Sequence, residues 1–238
     1  GVLHKYRSRV LVIYRGGCAI NCRYCFRRHF PYQENTLTAR DIDGLVSYLK
    51  AHPEVNEVIL SGGDPLMADD QALSGLFVRL ESVSSIHRLR IHTRLPIVIP
   101  ERVTDLLCQA IATTALPVVM VLHSNHANEI DQSVMDAVSQ LRAVCRSVLN
   151  QSVILKGIND SADVLIALSE RLFEAGIDPY YLNVLDRVSG AHHFDVSDLE
   201  VAALHQALLN ALPGYLVPKL VREVPGIGHK VQWKGTTH

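Results

Sequence analysis

The sequence lacks the features that direct a chain to a membrane or to nucleic acid. Its longest apolar runs, such as Val118–Leu122, are far too short to span a bilayer. The 23 Lys and Arg residues are balanced by 24 Asp and Glu residues, so a formal net charge of −1 leaves no positive field to attract a phosphate backbone. No secretory leader opens the sequence, which predicts a protein that is not exported. Hydrophobic residues make up 48% of the chain and charged residues only 20%, which excludes a disordered protein.

Cysteines are few, and their positions do not suit a disulfide scaffold. There are five, an odd number, and Cys18, Cys22 and Cys25 lie within eight residues of one another. Cys108 and Cys145 stand alone in amphipathic helical patterns, where a cysteine usually behaves as a small buried hydrophobic residue. The group of three is therefore the feature that needs a chemical explanation.

No linker rich in Pro, Gly or Ser divides the 238 residues, so we expect one domain, 1–238. Strands alternate with amphipathic helices about every thirty residues, from a strand at 9–14 to an extended stretch at 217–222, which predicts an α/β fold with a parallel sheet. The strands look apolar almost throughout, as expected for strands covered on both faces. A partial barrel and an open doubly wound sheet both fit, because a full eightfold barrel needs about 250 residues.

Polar and glycine-rich segments follow the predicted strands. They are the cysteine loop, SGGDP at 61–65, HTR at 92–94, HSNH at 123–126 and the region of Asp186. The carboxyl ends of parallel strands meet on one face, which is where such folds carry their active sites. We therefore expect these loops to build one site.

The cysteine loop has the spacing C-x3-C-x2-C directly after the first predicted strand. Thiolates at this density favour soft metals or an iron–sulfur cluster. A cubane cluster held by three thiolates leaves one iron open to a substrate or cofactor. A structural zinc site needs four ligands, and His29 is the only local candidate for the fourth, so a zinc loop is the alternative.

The loop also has an aromatic residue, Tyr24, before its third cysteine, and the SGGDP turn follows one βα unit later. In these features the sequence resembles the radical S-adenosylmethionine superfamily. The resemblance implies a partial (β/α)6 TIM-like barrel of the radical SAM type, with a 4Fe–4S cluster on the three cysteines. It also implies that S-adenosylmethionine lies against Ser61, Gly62, Gly63 and Asp64.

Longer blocks are similar to the lysine 2,3-aminomutase family, including LHKYRSRVLVIYRGGCAINCRYCFRRHFPY and PYYLNVLDRVSGAHHF. The nearest branch makes β-lysine for elongation factor P. The resemblance implies a cytoplasmic isomerase that converts L-α-lysine to β-lysine by 2,3-amino migration through a pyridoxal 5'-phosphate imine. It further implies a one-electron reductant such as flavodoxin or ferredoxin. The family's N-terminal region has no counterpart in this sequence, and no cysteine follows Cys145 to match the zinc region of the fermentative enzymes.

The resemblance assigns the ligand-binding residues as follows. Lys230, in the turn at 225–230, matches the lysine that carries pyridoxal phosphate and is the candidate catalytic residue. The cofactor's phosphate is matched by Lys5 and Arg9, and other cofactor contacts by His123, Asn150 and Gln151. The substrate's carboxylate is matched by Arg27, and its distal ammonium by Asp186 and Glu223.

Two departures from the family blocks stand near these residues. Asn183 replaces the branch's usual histidine and the tyrosine of the fermentative enzymes, and His192-His193 replaces an Ala-His pair. Alternatives to the lysine reaction are an aminomutase for another amino acid, such as glutamate, and a non-catalytic iron–sulfur module for electron transfer or regulation. The basic residues around Arg23 and Arg28 leave RNA contact as a further alternative, less favoured because of the neutral overall charge. Whether the protein is a homo-oligomer is left open.

Overall fold

One nine-stranded sheet, with helices between its strands, carries the fold. The computed structural model describes residues 1–25, 37–186, 188–224 and 226–233, without the side chains of 39 and 40. The strands are β1 Val2–Tyr6, β2 Arg9–Arg15, β3 Glu57–Gly62, β4 Arg88–Thr93, β5 Val118–Leu122, β6 Ser147–Val153, β7 Asp178–Asn183, β8 Lys219–Arg222 and β9 Val231–Gln232. The helices are α1 Ala39–Ala51, α2 Asp70–Glu81, α3 Leu95–Val98, α4 Asp105–Thr113, α5 Gln132–Val144, α6 Ala162–Glu174 and α7 Asp198–Ala211.

The strand order distinguishes between the two sheet types that the sequence left open. The order is β1 to β9 without interruption, and the pairs from β2 to β8 are all parallel. With right-handed crossovers, such an order places every connecting helix on one face, whereas a doubly wound sheet reverses its order at a switch point. The fold is therefore a partial barrel with six βα connections, closed off by antiparallel β1 and β9 at its two edges.

The helix starts follow local sequence signals. Thr38 followed by Asp41 three residues later predicts a capping box at the start of α1, and the structure has it, with Asp41 Oδ2 accepting the Thr38 N–H at 2.7 Å. The sequence pattern predicts one helix near 101–113, which is wrong in extent, because a 3-10 turn at Pro100–Arg102 follows the short α3 and α4 begins only at Asp105. Prolines lack the N–H that a continuous helix requires, so Pro100 separates the pieces.

The expectation of strands apolar throughout is wrong for β4 and β6. In β4, Leu89 and Ile91 are buried in the main core, while Arg90 and His92 alternate with them on the opposite face. The same alternation of burial runs along β6. Side chains alternate across a strand, so the outer face packs under the helices and the inner face lines the barrel with polar groups. None of the helices in the described part of the chain is both long and apolar enough to cross a membrane.

Candidate active site

The glycine turn after β3 is joined directly to the start of the cysteine loop. The Gly63 N–H donates to the Arg15 carbonyl at 3.0 Å, and the Asp64 N–H donates to the Gly17 carbonyl at 2.8 Å. A Cβ on Gly63 would lie 2.4 Å from the Gly17 oxygen, so only glycine allows this approach. Gly62 has a φ of 107°, which also favours glycine. The two segments that resembled the superfamily therefore form one unit.

Asp64 links this unit to the next strand. Its Oδ1 accepts from the Leu66 N–H at 3.0 Å and from the Thr93 hydroxyl at 2.7 Å. Its Oδ2 accepts from the Arg94 and Leu95 N–H groups at 2.8 and 3.2 Å. Burial raises the pKa of Asp64, and these hydrogen bonds oppose that shift. Both oxygens of Asp64 thus hold the glycine turn to the segment after β4, and Ser61 is buried at the end of β3.

The second and third cysteines of the loop are joined by a tight turn. The Cys25 N–H donates to the Cys22 carbonyl at 3.0 Å. The pKa of Cys18 is raised by burial first, then by the charge of Asp64 and by the two neighbouring thiols. As their side chains stand, no three His, Cys, Asp or Glu residues of the described ranges form a chelating group. Three soft thiol donors on one loop fit an iron–sulfur cluster with an open iron, and His29, the alternative zinc ligand, lies outside the described residues.

Arg94 connects the cysteine loop to the segment after β5. Its Nη1 donates to Cys22 Sγ at 2.9 Å and to the Tyr24 hydroxyl at 3.0 Å. Its Nη2 donates to Glu129 Oε2 at 2.8 Å, and the Tyr24 hydroxyl also accepts from Asn125 Nδ2 at 2.7 Å. Burial disfavours the charge of Arg94, but Tyr24, Cys22 and Glu129 outweigh it and raise the pKa of Arg94. Sequence reasoning placed HTR in the site but gave Arg94 no role.

Polar side chains on the inner face include two histidines bridged by Gln151. Gln151 Nε2 lies 2.7 Å from His123 Nε2 and 3.4 Å from His92 Nδ1. Asn150, its neighbour in the chain, is buried on the opposite face, where it exchanges hydrogen bonds with the backbone of Ser124 at 2.8 and 3.1 Å. The structure therefore brings together His123 and Gln151 but not Asn150, whose amide fastens the end of β5 to β6.

Lys230 lies against the inner face of β7. Its Nζ donates to Asn183 Oδ1 at 2.5 Å and lies 5.2 Å from the centre of the Tyr181 ring. Asn183 Nδ2 donates to the Ser152 carbonyl at 2.9 Å, which fixes the direction in which the amide oxygen points. The unexpected asparagine is thus the acceptor for the candidate catalytic amine.

Two residues predicted to bind different ligands form an ion pair with each other. Lys5 of β1 pairs with Glu223, which follows β8, and this hydrogen bond is the main reason why the pKa of Lys5 is raised. The pair joins two distant parts of the strand order, since β1 and β8 are not neighbours in the sheet. Arg9 packs on the Tyr6 ring, with its guanidinium carbon 4.0 Å from the ring centre.

The remaining substrate residues are placed as follows. Asp186 is partly buried after β7 and lines a cavity of about 240 Å³ with residues of its own loop, among them His192. Arg27, the predicted carboxylate ligand, lies outside the described residues. Cys108 lies in α4 as its helical pattern predicts, whereas Cys145 directly follows α5, and both are partly buried against the main core.

The sequence of this chain is similar to those of known proteins. Residues 12–178 match the model of the radical SAM superfamily. L-Lysine 2,3-aminomutase of Haemophilus influenzae is 54% identical over 96% of this chain and 68% of its own length. The enzyme of that name from Escherichia coli is 53% identical over 95% of this chain and 66% of its own length. The chain belongs to the radical SAM lysine 2,3-aminomutase family.

Solved structures agree with this membership at the level of the fold. Streptococcus suis SuiB bound to S-adenosylmethionine aligns with a TM-score of 0.65 and 17% identity, covering 92% of this chain and 51% of that one. A radical SAM methyltransferase from Sphaerobacter thermophilus aligns with a TM-score of 0.59 and 16% identity, covering 93% and 68%. The predicted partial barrel is therefore confirmed. The chain spans about two thirds of the length of its Haemophilus and Escherichia relatives, and the roles of single site residues stay predictions.

Proposed function

We propose that this protein is an isomerase that converts L-α-lysine to β-lysine by 2,3-amino migration. The observation that carries the proposal is the junction of the three-cysteine loop with the glycine turn through Gly63 and Asp64, in a chain 54% identical to an L-lysine 2,3-aminomutase. When bound, a 4Fe–4S cluster with S-adenosylmethionine supplies radical chemistry, and pyridoxal phosphate supplies the carbonyl carbon that holds the migrating nitrogen. Cys18, Cys22 and Cys25 would hold the cluster, and Lys230 would hold pyridoxal phosphate.

The chain's own residues supply binding, orientation and electrostatics. Lys230 presents its amine on the inner face of the barrel, at a fixed distance from Asn183. Lys5 and Arg9 provide the cations that a phosphate group needs. Gln151 orients the ring of His123 by a direct contact to its nitrogen.

Selectivity for lysine would come from two acids. Asp186 and Glu223 are proposed to bind the distal ammonium of the substrate. Two carboxylates at that end would repel the side-chain carboxylate of glutamate, so a glutamate aminomutase is disfavoured. Glu223 already pairs with an ammonium group, that of Lys5, and this supports its proposed role as an ammonium ligand.

Three finer points belong to this proposal. The resemblance of CFRRHFPY and VPKLVRE to one branch of the family supports elongation factor P as the destination of the β-lysine. A flavodoxin or ferredoxin would deliver the electron. A reducing cytoplasm suits the oxygen-labile cluster.

The test uses the full chain, reconstituted without oxygen with iron, sulfide and pyridoxal phosphate. We expect β-lysine to form from lysine and S-adenosylmethionine, and borohydride to fix a pyridoxyl group on Lys230, as read by peptide mass spectrometry. Lys230→Arg should lose both signals, whereas Lys50→Arg, at an exposed position of α1, should keep them. If the product forms from glutamate and not from lysine, the protein is an aminomutase for glutamate. A loaded cluster with no pyridoxyl label and no lysine-dependent cleavage of S-adenosylmethionine would support the non-catalytic module.

A further inference from the structure

The guanidinium of Arg94 contacts a cysteine of the loop directly. Its Nη1 lies 2.9 Å from Cys22 Sγ and 3.0 Å from the hydroxyl of Tyr24, two residues further along. Arg94 itself is not a metal ligand, because a guanidinium has no lone pair to offer. Any effect that it has on a bound cluster must therefore come from its hydrogen bond to Cys22 or from its charge.

Arg94 is held in this position from both ends. Its backbone N–H donates to Asp64, which is also tied to the glycine turn. Its Nη2 donates to Glu129 Oε2, and Glu129 Oε1 accepts from the backbone N–H of Asn125 at 2.7 Å. The side chain is only 22% exposed. The glycine turn and the segment after β5 thus fix the hydrogen bond from Arg94 to the Cys22 sulfur.

We propose that Arg94 is a positioning residue that raises the reduction potential of the cluster by donating a hydrogen bond to the Cys22 thiolate. This inference rests on the proposed function, because it requires the cysteine loop to hold an iron–sulfur cluster. A donor to a ligand sulfur withdraws electron density and favours the reduced, more negative state of the cluster. The fixed cationic charge of Arg94 acts in the same direction.

Glu129 sets the size of this effect. Its carboxylate lies 2.8 Å from Arg94 Nη2 and compensates part of the positive charge. Neutralising Glu129 while keeping its shape should leave the guanidinium charge less compensated and raise the potential further. Removing Arg94 and neutralising Glu129 are therefore expected to shift the potential in opposite directions, which general damage to the fold would not do.

Arg102 provides a matched control on the same segment. It donates to the carbonyls of Leu66 and Ala68 at 2.7 and 2.8 Å and pairs with Asp70, and none of these recorded partners is a cysteine. Its side chain is about as buried as that of Arg94, with 17% exposed. Arg102→Gln should therefore lower thermal stability without moving the potential.

The experiment is a redox titration of the reconstituted full chain, followed by the electron paramagnetic resonance signal of the reduced cluster. The variants are Arg94→Gln, Arg94→Lys, Glu129→Gln and Arg102→Gln, each with its iron and sulfide content and melting temperature measured. We expect Arg94→Gln to lower the equilibrium constant for reduction at least about tenfold, which is about 59 mV for one electron. The reduction potential of Arg94→Lys should lie between those of the unmodified chain and Arg94→Gln, and Glu129→Gln should raise the potential.

Each result has a defined meaning. If Arg94→Gln retains full iron content and the potential of the unmodified chain, the inference is overturned. If Arg94→Gln does not load, the opposite shifts of Arg94→Lys and Glu129→Gln support the inference, and unchanged potentials in both overturn it. If the unmodified chain itself takes up no cluster, the proposed function has failed and not the role of Arg94 alone.

Discussion

Replacing Gly63 by alanine tests whether the glycine turn and the cysteine loop are one unit. The new methyl carbon would lie 2.4 Å from the Gly17 oxygen, 2.6 Å from the Arg15 oxygen and 2.8 Å from the Gly16 carbonyl carbon. All three are backbone atoms, so no side-chain rotation can relieve the overlap. The turn must move away, and the hydrogen bonds from the Gly63 and Asp64 N–H groups must lengthen or break.

The magnitude follows from these two losses. Overpacking against a fixed backbone costs about 1–3 kcal/mol, and each backbone hydrogen bond that is lost costs about 1 kcal/mol. We therefore expect Gly63→Ala to lower the free energy of unfolding by about 4 kcal/mol, which for a domain of this size is about 10 °C in melting temperature. The iron content after reconstitution should fall with it, because the displaced turn no longer supports the start of the cysteine loop.

The matched control is the same substitution at Gly44. This glycine is exposed within α1, and a Cβ there meets nothing within 4 Å. Alanine should stabilise the helix by about 1 kcal/mol, so the sign is opposite. The assays are thermal unfolding of the cluster-free protein and iron analysis after reconstitution. A Gly63→Ala protein that melts within about 2 °C of the unmodified chain and loads iron fully would refute the reasoning.

Three further predictions follow from the site and the core. Asn183→Leu removes the acceptor that positions the Lys230 amine, and since a hydrogen bond contributes about 1 kcal/mol, the share of bound pyridoxal phosphate that borohydride fixes should fall about fivefold. Glu223→Gln releases Lys5 from its ion pair, so equilibrium dialysis should show tighter binding of pyridoxal phosphate, while competition between lysine and norleucine should show weaker selection of lysine. Burial raises the pKa of Cys145 to about 12, so iodoacetamide should label it about a thousandfold more slowly at pH 8 than an ordinary thiol of pKa about 9, and tenfold faster for each pH unit above 8.

The controls separate these effects from loss of structure. Asn210→Leu changes the same residue type on the exposed face of α7 and should leave the fixed share unchanged. For Asn183→Leu, an equal fall in total and fixed cofactor would contradict a positioning effect. For Glu223→Gln, unchanged or weaker binding of pyridoxal phosphate would contradict the competition with Lys5. A pH-independent rate of labelling would contradict a partly buried, protonated Cys145.

Local elements were predictable from the sequence because their signals are local. The helix that begins after Thr38 follows from the capping box with Asp41, and the strands between β2 and β8 follow from short segments rich in apolar residues. The choice between a partial barrel and a doubly wound sheet depends on which strands pair, which no local pattern encodes. Asn150 and Gln151 show a similar limit. The family block that contains them assigns a cofactor contact to both residues. Side chains alternate along β6, however, so the two lie on opposite faces of the strand.

Contacts between distant segments account for the rest of the site. Arg94 reaches Cys22, 72 residues earlier, and Glu129, 35 residues later, so its role follows only from the way in which the loops meet. The sequence did indicate that the loops after β4 and β5 share one face of the barrel. It could not indicate which charged side chain on that face would turn toward a cysteine.

The pairing of Lys5 with Glu223 shows how such a site can keep its charges ready for ligands. The two side chains are 39% and 35% exposed, so water screens their attraction and the pair contributes only about 0.2–1 kcal/mol. Breaking it therefore costs an incoming ligand little. When a phosphate group binds Lys5, the Glu223 carboxylate loses the ammonium group that paired with it. The ammonium group of a substrate can then bind Glu223 in place of Lys5. If these two residues bind the ligands proposed for them, the cofactor's phosphate prepares the acid that selects lysine, and binding of one ligand favours binding of the other.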